Sequence, residues 1–144
     1  MRERLDRAID ILFDEELKFV LINDEEIIKS SDRGVKPLLD LIRSGKDLGK
    51  FSAADMVVGK AAALLYIYLG VGEIYGRLMS QEAKAIFEEH GIAHEYALLE
   101  PYIKNRDKTD MCPMEKSVRG IDDPKLAVEA ISETVRRLMQ GRMA

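Results

Sequence analysis

The residues able to do chemistry gather in two stretches. The segment 105–115 carries Asn105, Arg106, Asp110, Cys112 and Glu115, a density of reactive and charged types that an ordinary connecting loop does not need. Cys112 is the chain's single cysteine, so neither an internal disulfide nor a cysteine-rich metal cluster can form, and if it matters it matters as a thiol. Pro113 follows it, as at a helix start. A thiolate there would have its pKa lowered by the helix dipole and by a cation such as Lys60, and would act as a nucleophile with Lys60 or Glu115 managing protons. The alternative is a buried structural thiol, since free cysteine is among the most often buried residue types.

Lys60 is the second focus. It stands in an apolar run between Val57-Val58 and Ala61-Ala62-Ala63, where an unpaired ammonium group is expensive. A lysine in that setting requires an anion. It either binds a ligand's phosphate or carboxylate, acts when desolvated as a base or amine nucleophile, or serves structure by pairing with Asp110 or Glu115 or by reaching out to water. Arg33, Gly34 and Lys36, in the loop after the first two strands, offer a second anion contact or are simply a solvated loop. His90, in the last turn of a helix, and His94, on one strand face, receive no function. Gly70-Val-Gly-Glu is a weak glycine pattern without a phosphate-loop context.

These groups need a scaffold. Apolar residues at Leu5, Ala8, Ile9, Leu12 and Phe13 have the spacing of one helix face and predict a first helix over 5–17. Two β-rich runs, 18–22 and 26–29, flank Asn23-Asp24-Glu25 and read as a hairpin. A short helix is expected over 37–43. Ser52-Ala-Ala-Asp55 resembles a capping box and predicts one long, buried helix running to Leu69, carrying Ala53, Ala54, Gly59 and Lys60. A third strand begins at 71–75, a helix spans 81–90 with Gly91 as its stop, and 92–98 alternates as a fourth strand, so that strand, helix and strand form a parallel pair. Asp123-Pro124 caps a final amphipathic helix with Ala127, Ile131, Val135 and Leu138 on its apolar face.

The length of 144 residues suits a single domain spanning 1–144, and the net charge of −4 with both signs interspersed excludes a basic nucleic-acid footprint. The longest apolar stretch, 61–69, is too short to cross a bilayer, and the amphipathic start is not signal-like, so a cytoplasmic location is expected. No repeat is visible.

The order helix, hairpin, buried helix, strand, helix, strand resembles the cytidine-deaminase-like fold. That resemblance implies a three-layer α/β/α domain with a mixed sheet of four to five strands. In that fold a His-x-Glu motif and a Cys-x-x-Cys motif at two helix starts supply the zinc ligands and the proton shuttle. Counting back from Glu88-Glu-His-Gly-Ile92 puts the cysteine positions at Ser80 and Ala83, and the His-x-Glu position falls at Lys60-Ala-Ala62. The zinc set is therefore absent from those positions. Arg33-Gly-Val-Lys-Pro-Leu, Val57-Val-Gly-Lys-Ala-Ala-Ala and Asn105-Arg through Asp110-Met-Cys-Pro-Met-Glu resemble an uncharacterised family of small prokaryotic proteins assigned to that fold, which carries no established reaction. Three readings follow: a domain that binds a small anionic or nucleoside-like ligand through Lys60 and the 105–115 loop, a metal-free enzyme built on Cys112 and Lys60, and a structural or oligomerisation module. No cofactor, metal, nucleic acid or membrane partner is expected. A homodimer is compatible with the final helix.

Overall fold

The structure, a computed structural model, describes residues 2–32, 34–104 and 111–143. Helix α1 (Arg2–Asp14) buries Leu5, Ala8 and Leu12 and ends a turn earlier than its pattern, because Glu16 takes a left-handed φ of 54° that no helix continues through. The hairpin forms as read. Strands β1 (Phe19–Ile22) and β2 (Ile27–Ser30) pair antiparallel, and Asn23 closes the turn by accepting from the Glu25 and Glu26 amides at 2.9 and 2.7 Å. Helix α2 (Lys36–Arg43) follows, with Pro37 in its first turn.

The long helix expected over 52–69 does not exist. Ser52–Val58 is strand β3, the centre of the sheet, and only Lys60–Leu69 is helical, as α3. The serine and aspartate that imitate a capping box serve other elements. Ser52 donates from Oγ to the buried Glu73 carboxylate at 2.7 Å, and Asp55 accepts from the Tyr66 hydroxyl at 2.6 Å. A strand covered on both faces reads as a continuous apolar run rather than an alternation, and that run merged with the helix behind it. Ala53 packs among the helices that follow, whereas Ala54 packs against α1 on the opposite face.

Strand β4 (Glu73–Ser80), helix α4 (Gln81–Glu89) and strand β5 (Ala93–Glu100) complete the sheet, ordered β2-β1-β3-β4-β5. β3, β4 and β5 run parallel, and β1 pairs antiparallel with β3. The sheet is mixed and five-stranded. Gly91, with φ of +70°, stops α4 as its position suggested. Helix α5 (Pro113–Ser117) is short, and α6 (Pro124–Met143) starts where Asp123 accepts from the Leu126 amide at 3.0 Å. Ala127, Ile131 and Val135 are buried as expected, but Leu138 is exposed. α1 covers β1 and β3 on one side; α2, α3, α4 and α6 share the larger core on the other. None of the described helices is long and apolar enough to cross a membrane.

The central strand holds a titration signature. Burial raises the Asp55 carboxyl from 3.8 to about 6, against the pull of the Tyr66 hydroxyl and the Val57 and Met56 amides. The folded chain therefore holds a proton on Asp55 that the unfolded chain has released, and stability falls as pH rises from about 4 through 6. That difference corresponds to about 3 kcal/mol. Urea unfolding of wild type and Asp55→Asn across pH 4 to 7 should show the wild-type advantage shrinking by roughly that amount over the window; a pH-independent difference would refute the assignment.

Candidate functional site

Because β3 and β4 are adjacent and parallel, α3 and α4 start side by side at the same end of the sheet. The start of α3 lacks a capping side chain of its own: Gly59, in an extended conformation, occupies the N-cap position. Its first-turn amides instead donate to a carboxylate from a distant segment. The Lys60 amide donates to Glu115 Oε1 at 2.7 Å and the Ala61 amide to Oε2 at 2.8 Å. A Cβ at position 59 would lie 2.2 Å from Glu115 Oε1, so glycine is what lets the carboxylate approach. Glu115 is buried on α5, and desolvation raises its pKa while the two amides and the Lys60 cation pull it down and Glu82 pushes it up.

The Lys60 ammonium points to a different partner. Its Nζ donates to the Val118 carbonyl at 3.1 Å and pairs with Asp122 Oδ1 at 2.9 Å. The lysine side chain is only 9% exposed and that of Asp122 is 62% exposed, so the pair leads from the interior to the surface. α4 is capped locally, with Ser80 Oγ accepting from the Ala83 amide at 3.0 Å. Lys60, Ser80 and Ala83 thus stand in the opening turns of two neighbouring helices. Among the described residues no three of His, Cys, Asp and Glu gather closely enough to hold a metal ion.

The candidate residues are brought together only in part. Lys60 and Glu115 meet. Cys112 is the N-cap of α5, one turn ahead of Glu115; its amide donates to the Ile103 carbonyl at 2.9 Å, and its thiol is partly exposed without a hydrogen bond among the described residues. Gly34 has a left-handed φ of +87°, and Lys36 pairs at 3.2 Å with Asp40 on its own helix. Arg33, Asn105, Arg106 and Asp110 lie outside the described residues. Asp122 and the Val118 carbonyl, which complete the Lys60 environment, were not among the candidates. The acidic pair Asp122-Asp123 before Pro124 was the available signal, since a single aspartate suffices to cap α6 and the other is left for a different partner.

The chain matches, over residues 7–135, the profile of the family TM1506, described as "Domain of unknown function (DUF1893)". It belongs to that family. The crystal structure of the DUF1893 family protein TM1506 from Thermotoga maritima is similar to it with a TM-score of 0.86 at 27% identity, covering 92% of this chain and 90% of that one. No match is found among curated proteins. Membership in the DUF1893 family brings no reaction with it.

The Lys60 pair makes an asymmetric prediction. Lys60→Met removes a buried charge, leaves Asp122 to water, and leaves the Val118 carbonyl still accepting from the Ile121 amide at 3.0 Å. It should cost less than about 1 kcal/mol, whereas Asp122→Ala strands a buried ammonium and should cost about 2 to 3 kcal/mol. In the Lys60→Met background the Asp122→Ala penalty should vanish. Denaturant titration of the four proteins measures this cycle, and equal penalties in both backgrounds would show the pair to be uncoupled.

Proposed function

We propose that this DUF1893 family chain is a non-zinc, cytidine-deaminase-like domain that binds a small anionic or nucleoside-like molecule at the start of α3. One observation carries the reading: two main-chain amides beside a buried ammonium group already hold a carboxylate, that of Glu115. Helix N-termini favour anions through unpaired amides and the dipole, and Gly59 leaves backbone rather than side chain facing the anion. The location also suits binding, since ligands of open α/β sheets collect beyond the carboxyl ends of parallel strands. A ligand anion would take the place of Glu115 and draw on the Lys60 cation. The element order and the placement of Lys60, Ser80 and Ala83 support the deaminase-like relationship.

A second reading rests on the same geometry. The Lys60 ammonium already has Asp122 and the Val118 carbonyl as partners, which favours a clasp that fastens 111–122 to the core and binds nothing. The enzyme reading built on Cys112 lacks support of this kind, because no described base hydrogen-bonds its thiol and α5 is too short to supply a strong dipole.

Thermal-shift measurements with nucleotides and acidic metabolites separate binding from clasp. Binding requires at least one compound that raises the melting temperature of wild type by several degrees at millimolar concentration and loses that effect in Lys60→Ala. In Glu115→Ala the vacated amides should additionally respond to acetate, which wild type ignores. If wild type and Lys60→Ala respond alike to every compound and acetate leaves Glu115→Ala unmoved, the clasp reading stands and the binding reading falls.

A further inference from the structure

α5 has two sides. Glu115 faces the start of α3, while Pro113, Lys116 and Ser117 face α6 and with it enclose a groove of about 350 Å³ whose far wall is Thr134, Arg137 and Leu138. That volume lies at the small end of the range for small-molecule sites. The lining divides by chemistry: Pro113 and Leu138 are apolar, the latter 43% exposed, and Lys116 and Arg137 bring cations.

Arg137 is tethered to its own helix. One guanidinium nitrogen, Nη2, donates at 3.3 Å to the hydroxyl of Thr134, which is 6% exposed and itself donates to the Ala130 carbonyl at 3.1 Å. Thr134 is thereby a positioning residue, with its proton committed to the helix and its lone pair to the arginine. The nearby Glu133 carboxylate takes its hydrogen bonds from Nε and Nη2 of Arg136 and feels Arg137 only through its field, so the Arg137 donors are not spent on it. Among the described residues no carboxylate forms an ion pair with Arg137. An arginine fork anchored through one nitrogen keeps its other donors for an oxyanion, and fork geometry suits carboxylate and phosphate alike.

We infer that the α5–α6 groove is a binding site for a small organic oxyanion with an apolar body, its charged head on Arg137 and its body against Pro113 and Leu138. This site is separate from the one proposed at the start of α3 and does not depend on it. A phosphate and a carboxylate head share the recognising chemistry.

Phenyl phosphate, benzoate and phenol serve as probes, titrated into isotopically labelled full-length protein while amide shifts are followed. Phenyl phosphate or benzoate should shift residues 113–117 and 134–138 saturably at millimolar concentration, the better of the two identifying the head group, while phenol binds at least tenfold more weakly. Arg137→Gln, an exposed change that should leave the melting temperature intact, should weaken binding at least tenfold. Arg137→Lys should restore part of the loss, and Thr134→Val should weaken binding by releasing the guanidinium. Absence of saturable binding up to 10 mM, equal affinity for phenol, or an unchanged affinity in Arg137→Gln overturns the proposal. Shifts confined to residues 59–61 also overturn it, and they would favour the α3 site instead.

Discussion

The carboxylate of Glu115 lying across the start of α3 determines how this end of the molecule is built. A ten-residue helix whose first amides lack a local cap presents unpaired donors and a positive dipole end in a buried place, where unmet hydrogen bonds are costly. Glu115 meets two of them with its two oxygens. To do so it must be brought from more than fifty residues downstream on a helix of five residues, and position 59 must carry no side chain. The absence of a side chain at one position and the presence of a charge at another are a single constraint. A mutation at either is felt at both, and the packing of α5 against the core depends on the pair.

The buried Glu115 carboxylate is met chiefly by main-chain amides, with a smaller pull from the cation of Lys60. Its backbone amide contacts Glu115 while its ammonium turns away to Asp122 and the Val118 carbonyl. The residue therefore joins the start of α3 to both ends of the 115–122 stretch, the amide to the first and the side chain to the last. Glu82 in α4 adds a second acid whose field opposes ionisation of Glu115, so the local charge is finely balanced rather than generously neutralised. The other buried polar pairs have the same character at other levels of the sheet. Ser52 with Glu73 and Asp55 with Tyr66 tie β3 to β4 and to α3. Satisfied buried polar pairs of this kind fix one arrangement of an otherwise apolar and small-residue core.

Local patterns in the sequence revealed much of the framework and little of its wiring. The hairpin around Asn23, the Gly91 stop, the Asp123 cap and the parallel pair of strands around α4 are set by short-range chemistry, and they stand where the residues indicated. Ser52-x-x-Asp55 misled because hydrogen-bond partners are not encoded in spacing: the same two side chains can cap a helix or cross-link a sheet, and the difference lies in Glu73 and Tyr66, which are distant in sequence. The same limit applies to the site. That Lys60 needed an anion was legible from its apolar neighbours; that Asp122 would face its ammonium required the return path of the chain after α5.

A site filled by the protein's own carboxylate sets terms for any ligand that would replace it. A tethered group competes at an effective concentration on the order of millimolar or more, so a lone carboxylate offering nothing but the same two hydrogen bonds cannot displace Glu115 at ordinary metabolite levels. The competitor has to add contacts that Glu115 does not make. Two are within the geometry: the Lys60 ammonium, if it exchanges the largely exposed Asp122 for the ligand, and apolar surface covered by the ligand body. A phosphate attached to a sizeable body satisfies both, because it carries more charge than a carboxylate and can engage amides and ammonium together. Release of Glu115 would then leave a buried acid without its amides. Its raised pKa would make proton uptake the least costly way for it to remain inside, and binding at this site would draw protons from solution.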